Sequence, residues 1–203
     1  ALRSGAGLVT LAMPDCLAGN LSCQVLPETI VNFLPSTDGG FSLSEEKCEE
    51  LAGRYRTILV GPGWGRGEKR AHTLASLLAH WKGLAILDAD AINLVAETGL
   101  PEQTAARLII TPHLAEMARL CQTTVAEVAE NQIEIARRFA TANKITVVLK
   151  SAITVIADHR GTVYISSRPN SGLARGGSGD LLAGLIAGLA ATGLSELNSA
   201  IVG

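Results

Sequence analysis

Three times in this sequence a short aliphatic run breaks into a polar or glycine-rich loop and then into a helical pattern. "TILVGPGWGRG" at 57–67 leads into "EKRAHTLASLLAHW", where Leu74, Leu77, Leu78 and Trp81 recur at helical spacing. "GLAILDADAINLVAET" and "RLIITPHLAEMARLC" repeat the cycle. Strands joined through helices lie parallel, and parallel strands buried on both faces read as unbroken aliphatic runs. The pattern predicts an α/β fold with a mostly parallel central sheet and helices on both of its faces. No fixed-length repeat, low-complexity tract or linker divides the chain, so residues 1–203 are expected to form a single domain.

The rest of the chain is read around that frame. "GLVTLAM" (7–13), followed by Pro14, predicts a strand, and residues 14–55 are mixed. Within them "STDGG" has turn chemistry, and "LSEEKCEELAGRY" predicts a short helix capped by Ser44. One long amphipathic helix is expected over 123–142, with Val125, Val128, Ala129, Ala136 and Phe139 on or near one face. "KITVVLKSAITVIAD" and "GTVYISS" predict two or three strands, the last pair a hairpin around 158–161. "ALRSGAGLVTLA" opens like the last turn of a helix before a strand, and "SELNSAIVG" stops inside a helical pattern. The expectation is a fragment incomplete at both ends.

Composition excludes several classes of function. Hydrophobic residues at 47% against 18% charged describe an ordered globular chain. A net charge of -2 with no basic block argues against a nucleic-acid partner. No apolar run reaches the roughly 18 residues of a membrane span. Cys16, Cys23, Cys48 and Cys121 show no CxxC spacing, and no histidine cluster completes a zinc site. They read as thiols of a protein in a reducing cytoplasm, and the sequon at Asn20 reads as chance.

Ligands of parallel sheets bind beyond the carboxyl ends of the strands. The loops at 61–67, 88–90, 111–116, 150–154 and 169–180 all follow strands and are expected to gather along one edge. "GPGWGRG" is neither a P-loop nor a dinucleotide fingerprint, since Arg66 replaces the last glycine of GxGxxG; its glycines serve either close approach to a ligand or a tight turn. In "DAD", Asp90 reads as the cap of a helix beginning at Ala91, and Asp88 as the polar-site candidate. His113 and Glu116 stand at a helix start, where Glu116 suits the helix dipole and His113 is either a ligand contact or a residue of the cap. Lys150, closing "VVLK", faces either the ligand edge, where phosphate is a suitable partner, or solvent.

"NSGLARGGSGDLLAGLIAGLAATG" (170–193) carries the sharpest signal. Successive glycines free backbone N–H groups to form an anion-binding concavity, and a helix beginning near Ser178 adds its positive end. Such a nest suits a phosphoryl group in transfer, with Asp180 accepting the proton of an attacking hydroxyl. An ordinary first-turn acid would explain the aspartate but not the glycines.

With these residues in hand, the chain resembles the ribokinase-like superfamily through its GxGD motif, and more closely the ADP- or ATP-dependent NAD(P)H-hydrate dehydratases. The blocks "ALRSGAGLVTLA", "VGPGWG", "ILDADAINLV", "IITPHLAEMARL", "VVLKSAITVIA" and "NSGLARGGSGDLLAGLIAGL" carry that resemblance in order. It implies a three-layer α/β/α fold and repair of NADHX and NADPHX, the hydrated cofactors, by phosphorylation of the ring hydroxyl and elimination of phosphate. It implies Asp180 as base and Gly176, Gly177, Ser178 and Gly179 as the anion hole. Gly65 and His113, with Asp180, would contact the hydrate. Lys150, Ser151, Ala152, Ile153 and Thr154, with Gly179, would contact ADP or ATP. Mg2+ would bridge phosphates, with no protein ligand assigned. A homo-oligomer, tetrameric by analogy with bacterial relatives, and a fused or separate epimerase domain are further implications.

Departures from the family pattern fall at Leu114-Ala115 after the histidine, at Ser151 after the lysine and at Arg175 before the nest. A kinase of a vitamin-precursor alcohol would use the same Asp180 and nest but release a stable ester. A nucleotide-binding module without catalysis would not need the base.

Overall fold

A computed structural model of the chain describes residues 1–21, 25–101, 104–166 and 169–203. The expectations for Cys23 and for the serine of the sequon lie outside the described residues. After a single 3-10 turn, the chain forms β1 (Thr10–Pro14), α1 (Ala18–Leu21), β2 (Ile30–Leu34), β3 (Ser36–Thr37), β4 (Gly40–Phe41) and α2 (Glu45–Arg54). It continues through β5 (Thr57–Val60), α3 (Glu68–His80), β6 (Leu84–Leu87), α4 (Ala89–Thr98), β7 (Arg107–Ile110), α5 (Leu114–Leu120), α6 (Val125–Glu130) and α7 (Gln132–Asn143). Then come β8 (Thr146–Leu149), β9 (Thr154–Ala157), β10 (Val163–Ser166), α8 (Ser178–Ala191) and α9 (Glu196–Val202).

The main sheet has six strands in the order β10-β9-β8-β7-β6-β5. β5 to β8 run parallel, β9 is antiparallel to both its neighbours, and β10 therefore runs with β8. Because β5 to β8 are laid down in one direction and parallel crossovers are right-handed, α3 to α7 all fall on the same face. The opposite face is left for the chain that follows β10, and α8 packs there on β5 and β6 while α9 packs on β7, β8 and β9.

Strand alternation divides the core accordingly. Ala85, Leu87, Leu108, Ile110, Val147 and Leu149 join Leu74, Leu78, Met117 and Ala136 in one apolar layer. Leu84, Ile86, Ile109, Val148 and Ile156 meet Ala183 and Ile186 in the other. Every residue of β6 and β8 is buried, the signature expected of strands covered on both sides.

Ser44 caps α2 by accepting from the Lys47 amide at 3.3 Å, as its position predicts. "STDGG" makes the β3–β4 hairpin, with Asp38 and Gly39 both at positive φ, the type I′ requirement. The hairpin at 158–161 is also present, closed by Asp158 Oδ1, which accepts from the Arg160 and Thr162 amides.

One expectation is corrected here, and another is completed. The long helix over 123–142 is two helices. Thr124 caps α6 by accepting from the Glu127 amide, and Asn131, at φ -122 and ψ 33, ends it by donating from Nδ2 to the Glu127 carbonyl. Side chains that bond their own backbone compete with a continuous helix, and Val125 and Ala129 consequently stay exposed. The early strand, at Thr10–Pro14, lies outside the main sheet and pairs parallel with β2, which the mixed composition of 14–55 concealed.

Burial of Cys48 on the inner face of α2 pushes its thiol up from its ordinary value; the Ser76 hydroxyl opposes this, and the Glu45 carboxylate adds to it. Burial likewise raises Cys121. A raised thiol keeps its proton in the folded state. The stability it contributes is therefore present below the unfolded thiol value, near 8.5, and declines as pH rises beyond it. Thiol-reactive labelling mapped by mass spectrometry at pH 8 is expected to modify the exposed Cys16 first and Cys48 only as the protein opens. Equal rates would contradict that burial.

Candidate active site

Five loops meet at the carboxyl edge of the main sheet because β5, β6, β7, β8 and β10 all end there. The first, after β5, is bent by Gly61, Gly63 and Gly65 at positive φ. At Gly61 the need for glycine is also steric, since a Cβ would overlap the Asp88 carbonyl of the next loop. Trp64 stacks on Phe41 with ring centroids 4.7 Å apart, and the Gly65 amide donates to Asp90 Oδ2 at 2.9 Å.

The second loop is "DAD". Asp88 is extended and Ala89 follows in the left-handed region at φ 48, rare for a residue with a Cβ. The helix α4 begins at Ala89, with Asp88 at its cap position but making no side-chain cap bond. The expectation that Asp90 caps a helix from Ala91 is corrected: Asp90 lies in the first turn and gives its carboxylate to Gly65 instead. Asp88 is the polar-site residue its place at a strand end suggests. Its Oδ1 accepts from Lys150 Nζ at 2.8 Å and from Thr111 Oγ1 at 2.7 Å, with 2% of its side chain exposed.

His113 is the N-cap of α5. Its Nδ1 accepts from the Ala115 and Glu116 amides at 3.1 and 3.3 Å, while its own amide donates to Glu116 Oε2 at 2.8 Å. This is a capping box, normally made by Ser or Thr. Accepting at Nδ1 places the proton of the neutral ring on Nε2, and half of the side chain remains exposed. The cap and the ligand contact, left open as alternatives in the sequence, are thus compatible. Leu114 and Ala115, where the family pattern differs, are simply the first turn of this capped helix.

Lys150 pairs beside His113 in a parallel bridge, its amide donating to the Pro112 carbonyl at 2.8 Å. Its side chain, one fifth exposed, reaches across to Asp88 through the ammonium. The Ser151 hydroxyl, with one proton to give, lies within donating distance of both Gln132 Oε1 and the Ile153 carbonyl. That departure from glycine therefore ties the loop to the start of α7. Ala152 and Ile153 are exposed and Thr154 is half-buried, and Ile153 borders a groove of about 430 Å³ with Gln132, Val155 and Ile165.

The fifth loop makes the nest. Arg175 to Ser178 is a turn closed by the Ser178 amide donating to the Arg175 carbonyl at 3.3 Å, with Gly177 at φ 84 and ψ -10. That is the third position of a type II turn, which calls for glycine. The Ser178 amide is spent on this turn, whereas the amides of Gly176, Gly177, Gly179 and Asp180 have no partner among the described residues. Gly179 lies against the charge pair: a Cβ there would stand 3.3 Å from Lys150 Nζ and 4.0 Å from Asp88 Oδ2. Asp180 is exposed in the first turn of α8.

The structure thus brings Lys150, His113, Gly179 and Asp180 into one neighbourhood and ties Gly65 to it through "DAD". Ala152 and Ile153 run outward from that centre. Thr111 was missed by sequence reasoning, although a polar residue ending a buried strand, beside another that does the same, was a usable signal.

A parallel sheet whose carboxyl edge carries a glycine nest, a helix start and an acidic residue in its first turn defines the ribokinase-like class. Within it, the family profile of NAD(P)H-hydrate dehydratase matches residues 1–203, and the chain belongs to that family. It is 39% identical over 207 residues to the bifunctional NAD(P)H-hydrate repair enzyme Nnr of Moorella thermoacetica, covering 100% of this chain and 39% of that protein. It is 40% identical over 149 residues to the ADP-dependent (S)-NAD(P)H-hydrate dehydratase of Neisseria meningitidis, covering 71% of this chain and 50% of that one. The crystal structure of the Bacillus subtilis ADP/ATP-dependent NAD(P)H-hydrate dehydratase, co-crystallised with ATP/Mg2+ and soaked with CoA, superposes with a TM-score of 0.81 at 29% identity. That match covers 99% of this chain and 70% of the Bacillus chain. The chain therefore spans about two fifths to one half of the length of these curated relatives.

Gly61→Ala is expected to cost at least about 2 kcal/mol, from the disfavoured φ and the collision with the Asp88 carbonyl. Urea unfolding measures it; an unchanged midpoint would show that the first two loops are not packed as described.

Proposed function

We propose that the protein carrying this chain dehydrates NADHX and NADPHX to NADH and NADPH at the expense of ADP or ATP. The observation that carries the reading is the approach of Gly179 to the Lys150 ammonium, with unpartnered amides on either side and Asp180 next in sequence. A phosphoryl group seated there would meet backbone donors, the helix terminus and a fixed positive charge, all suited to the charge that spreads in its transfer. The names of the Neisseria and Bacillus relatives support the nucleotide and the substrate.

In this reading the ring hydroxyl of the hydrate attacks the terminal phosphorus, its proton passes to Asp180, and the nucleotide departs one phosphate shorter. The new ester then breaks at its C–O bond as the neighbouring ring carbon gives up a proton. Inorganic phosphate leaves and the dihydropyridine double bond returns. The amides of Gly176, Gly177 and Gly179 form the anion cradle, Ser178 shapes it by closing the turn with its own amide, Gly65 and His113 face the hydrate, and Lys150, Ser151, Ala152, Ile153 and Thr154 follow the nucleotide. Mg2+ binds such sites chiefly through phosphate oxygens and water rather than a protein cage. The donor set fits that mode: Asp88 is already committed to Lys150 and Thr111, and the described residues form no cluster of three metal donors. The Nnr relatives are named bifunctional, which supports a further activity on the same polypeptide, the epimerase. A homo-oligomer in the cytoplasm is part of the proposal; among the described residues no helix is long and apolar enough to cross a membrane.

The full-length protein is expected to raise absorbance at the reduced-nicotinamide band from NADHX only when ADP or ATP is present. No NADH with either nucleotide, alongside a stable phosphate ester of a vitamin alcohol, would assign the site to a small-alcohol kinase. Asp180→Asn is expected to lower turnover about a hundredfold or more while nucleotide binding, read by calorimetry, stays near wild type. Undiminished turnover would remove Asp180 from the mechanism.

A further inference from the structure

We propose that the turn Asp88-Ala89-Asp90 is the positioning element of this site, one aspartate setting the phosphoryl side and the other the hydrate side. The inference rests on the function proposed above for its choice of substrates, and on the geometry alone for the two arms. Both aspartates stand where an N-cap or first-turn acid would serve α4, yet no side-chain cap bond is made at the cap position. Each carboxylate is instead given to a different loop. Asp88 holds Lys150 Nζ at 2.8 Å, with Thr111 Oγ1 at 2.7 Å fixing the same oxygen, and its other oxygen lies 4.0 Å from where a Gly179 Cβ would stand. Asp90 holds the Gly65 amide at 2.9 Å.

The backbone between them explains how two neighbouring carboxylates can serve opposite sides. Ala89 takes φ 48, a conformation disfavoured for any residue with a Cβ, and it reverses the chain between an extended Asp88 and a helical Asp90. Gly61 closes on the Asp88 carbonyl from the other side and locks the reversal in place. Lys150 keeps two of its three N–H donors for a phosphoryl oxygen above Gly179, because Asp88 takes only one. Gly65, bent at φ 77, has no side chain to hold it, so the Asp90 carboxylate is what fixes its amide.

The two arms make separable predictions for the full-length protein. Asp90→Asn should raise KM for the hydrate at least about tenfold, as for a lost charge-assisted hydrogen bond. ADP affinity should stay within about twofold, and deuterium exchange should quicken selectively in peptides covering 61–67. Asp88→Asn should weaken ADP binding about tenfold with no change in exchange at 61–67. In a Lys150→Met background it should add nothing, because it acts through Lys150. Should Asp88→Asn not fold, Thr111→Val removes one bond without stranding a charge and should weaken ADP binding in the same direction. Affinity and exchange are read without turnover: a protein that binds ADP but leaves NADHX untouched would overturn the substrate while both arms are still decided. Loss of ADP affinity that adds in full to that of Lys150→Met would overturn the Asp88 arm. Unchanged exchange at 61–67 in Asp90→Asn would overturn the other. Equal effects of both variants on every readout, in step with a lowered Tm, would reduce the turn to a structural one.

Discussion

The ion pair between Asp88 and Lys150 is the interaction on which the carboxyl edge of the sheet depends. Its partners are 62 residues apart in sequence and come from the ends of β6 and β8. Thr111, at the end of the strand between them, bonds the same carboxylate, so three successive strand ends are tied by one group. Removing a carboxylate and an ammonium from water is costly, and a buried pair adds little net stability over apolar residues of the same size. What it supplies is a fixed location for charge. Here that location is directly beneath the one glycine of the nest whose missing Cβ leaves room for it.

Stability comes from elsewhere. The two apolar layers on either side of β6, β7 and β8 bury unbroken aliphatic runs, and α8 can lie flat on the sheet because it is built from Ala, Gly, Leu and Ile. The edge carrying the chemistry is therefore free to hold features that cost energy: positive φ at Ala89 and a buried charge pair. Strain of this kind persists only where packing around it is secure.

Much of the fold was legible because its signal is local. The α2 start follows from the Ser44 cap, the succession of strand, loop and helix from 57 onward follows from aliphatic runs and helical spacing, and the convergence of loops follows from parallel order. The helix over 123–142 failed because apolar spacing continues through Asn131, whose side chain ends α6 by bonding the Glu127 carbonyl. β2 failed because its five residues alternate weakly and pair with a strand 20 positions away in the register Thr10↔Ile30. In the site, the glycines of the nest and Asp180 stood out by composition. Asp90 was misassigned because an aspartate before a helix reads the same whether it caps that helix or serves a neighbouring loop.

Sequence alone determined the α/β class, the polarity of the sheet and the set of loops that could meet a ligand, since each depends on residues within one helical turn or one strand of each other. It also carried the family, through motifs in fixed order. Only the tertiary structure decided which loop holds which. That Asp88 belongs to Lys150, that Asp90 belongs to Gly65, and that Gly179 lies against the Lys150 ammonium are facts about groups brought together by strand order. The physical reason is range: propensity and periodicity act over a few residues, whereas a carboxylate takes whatever donor the fold places about 3 Å away.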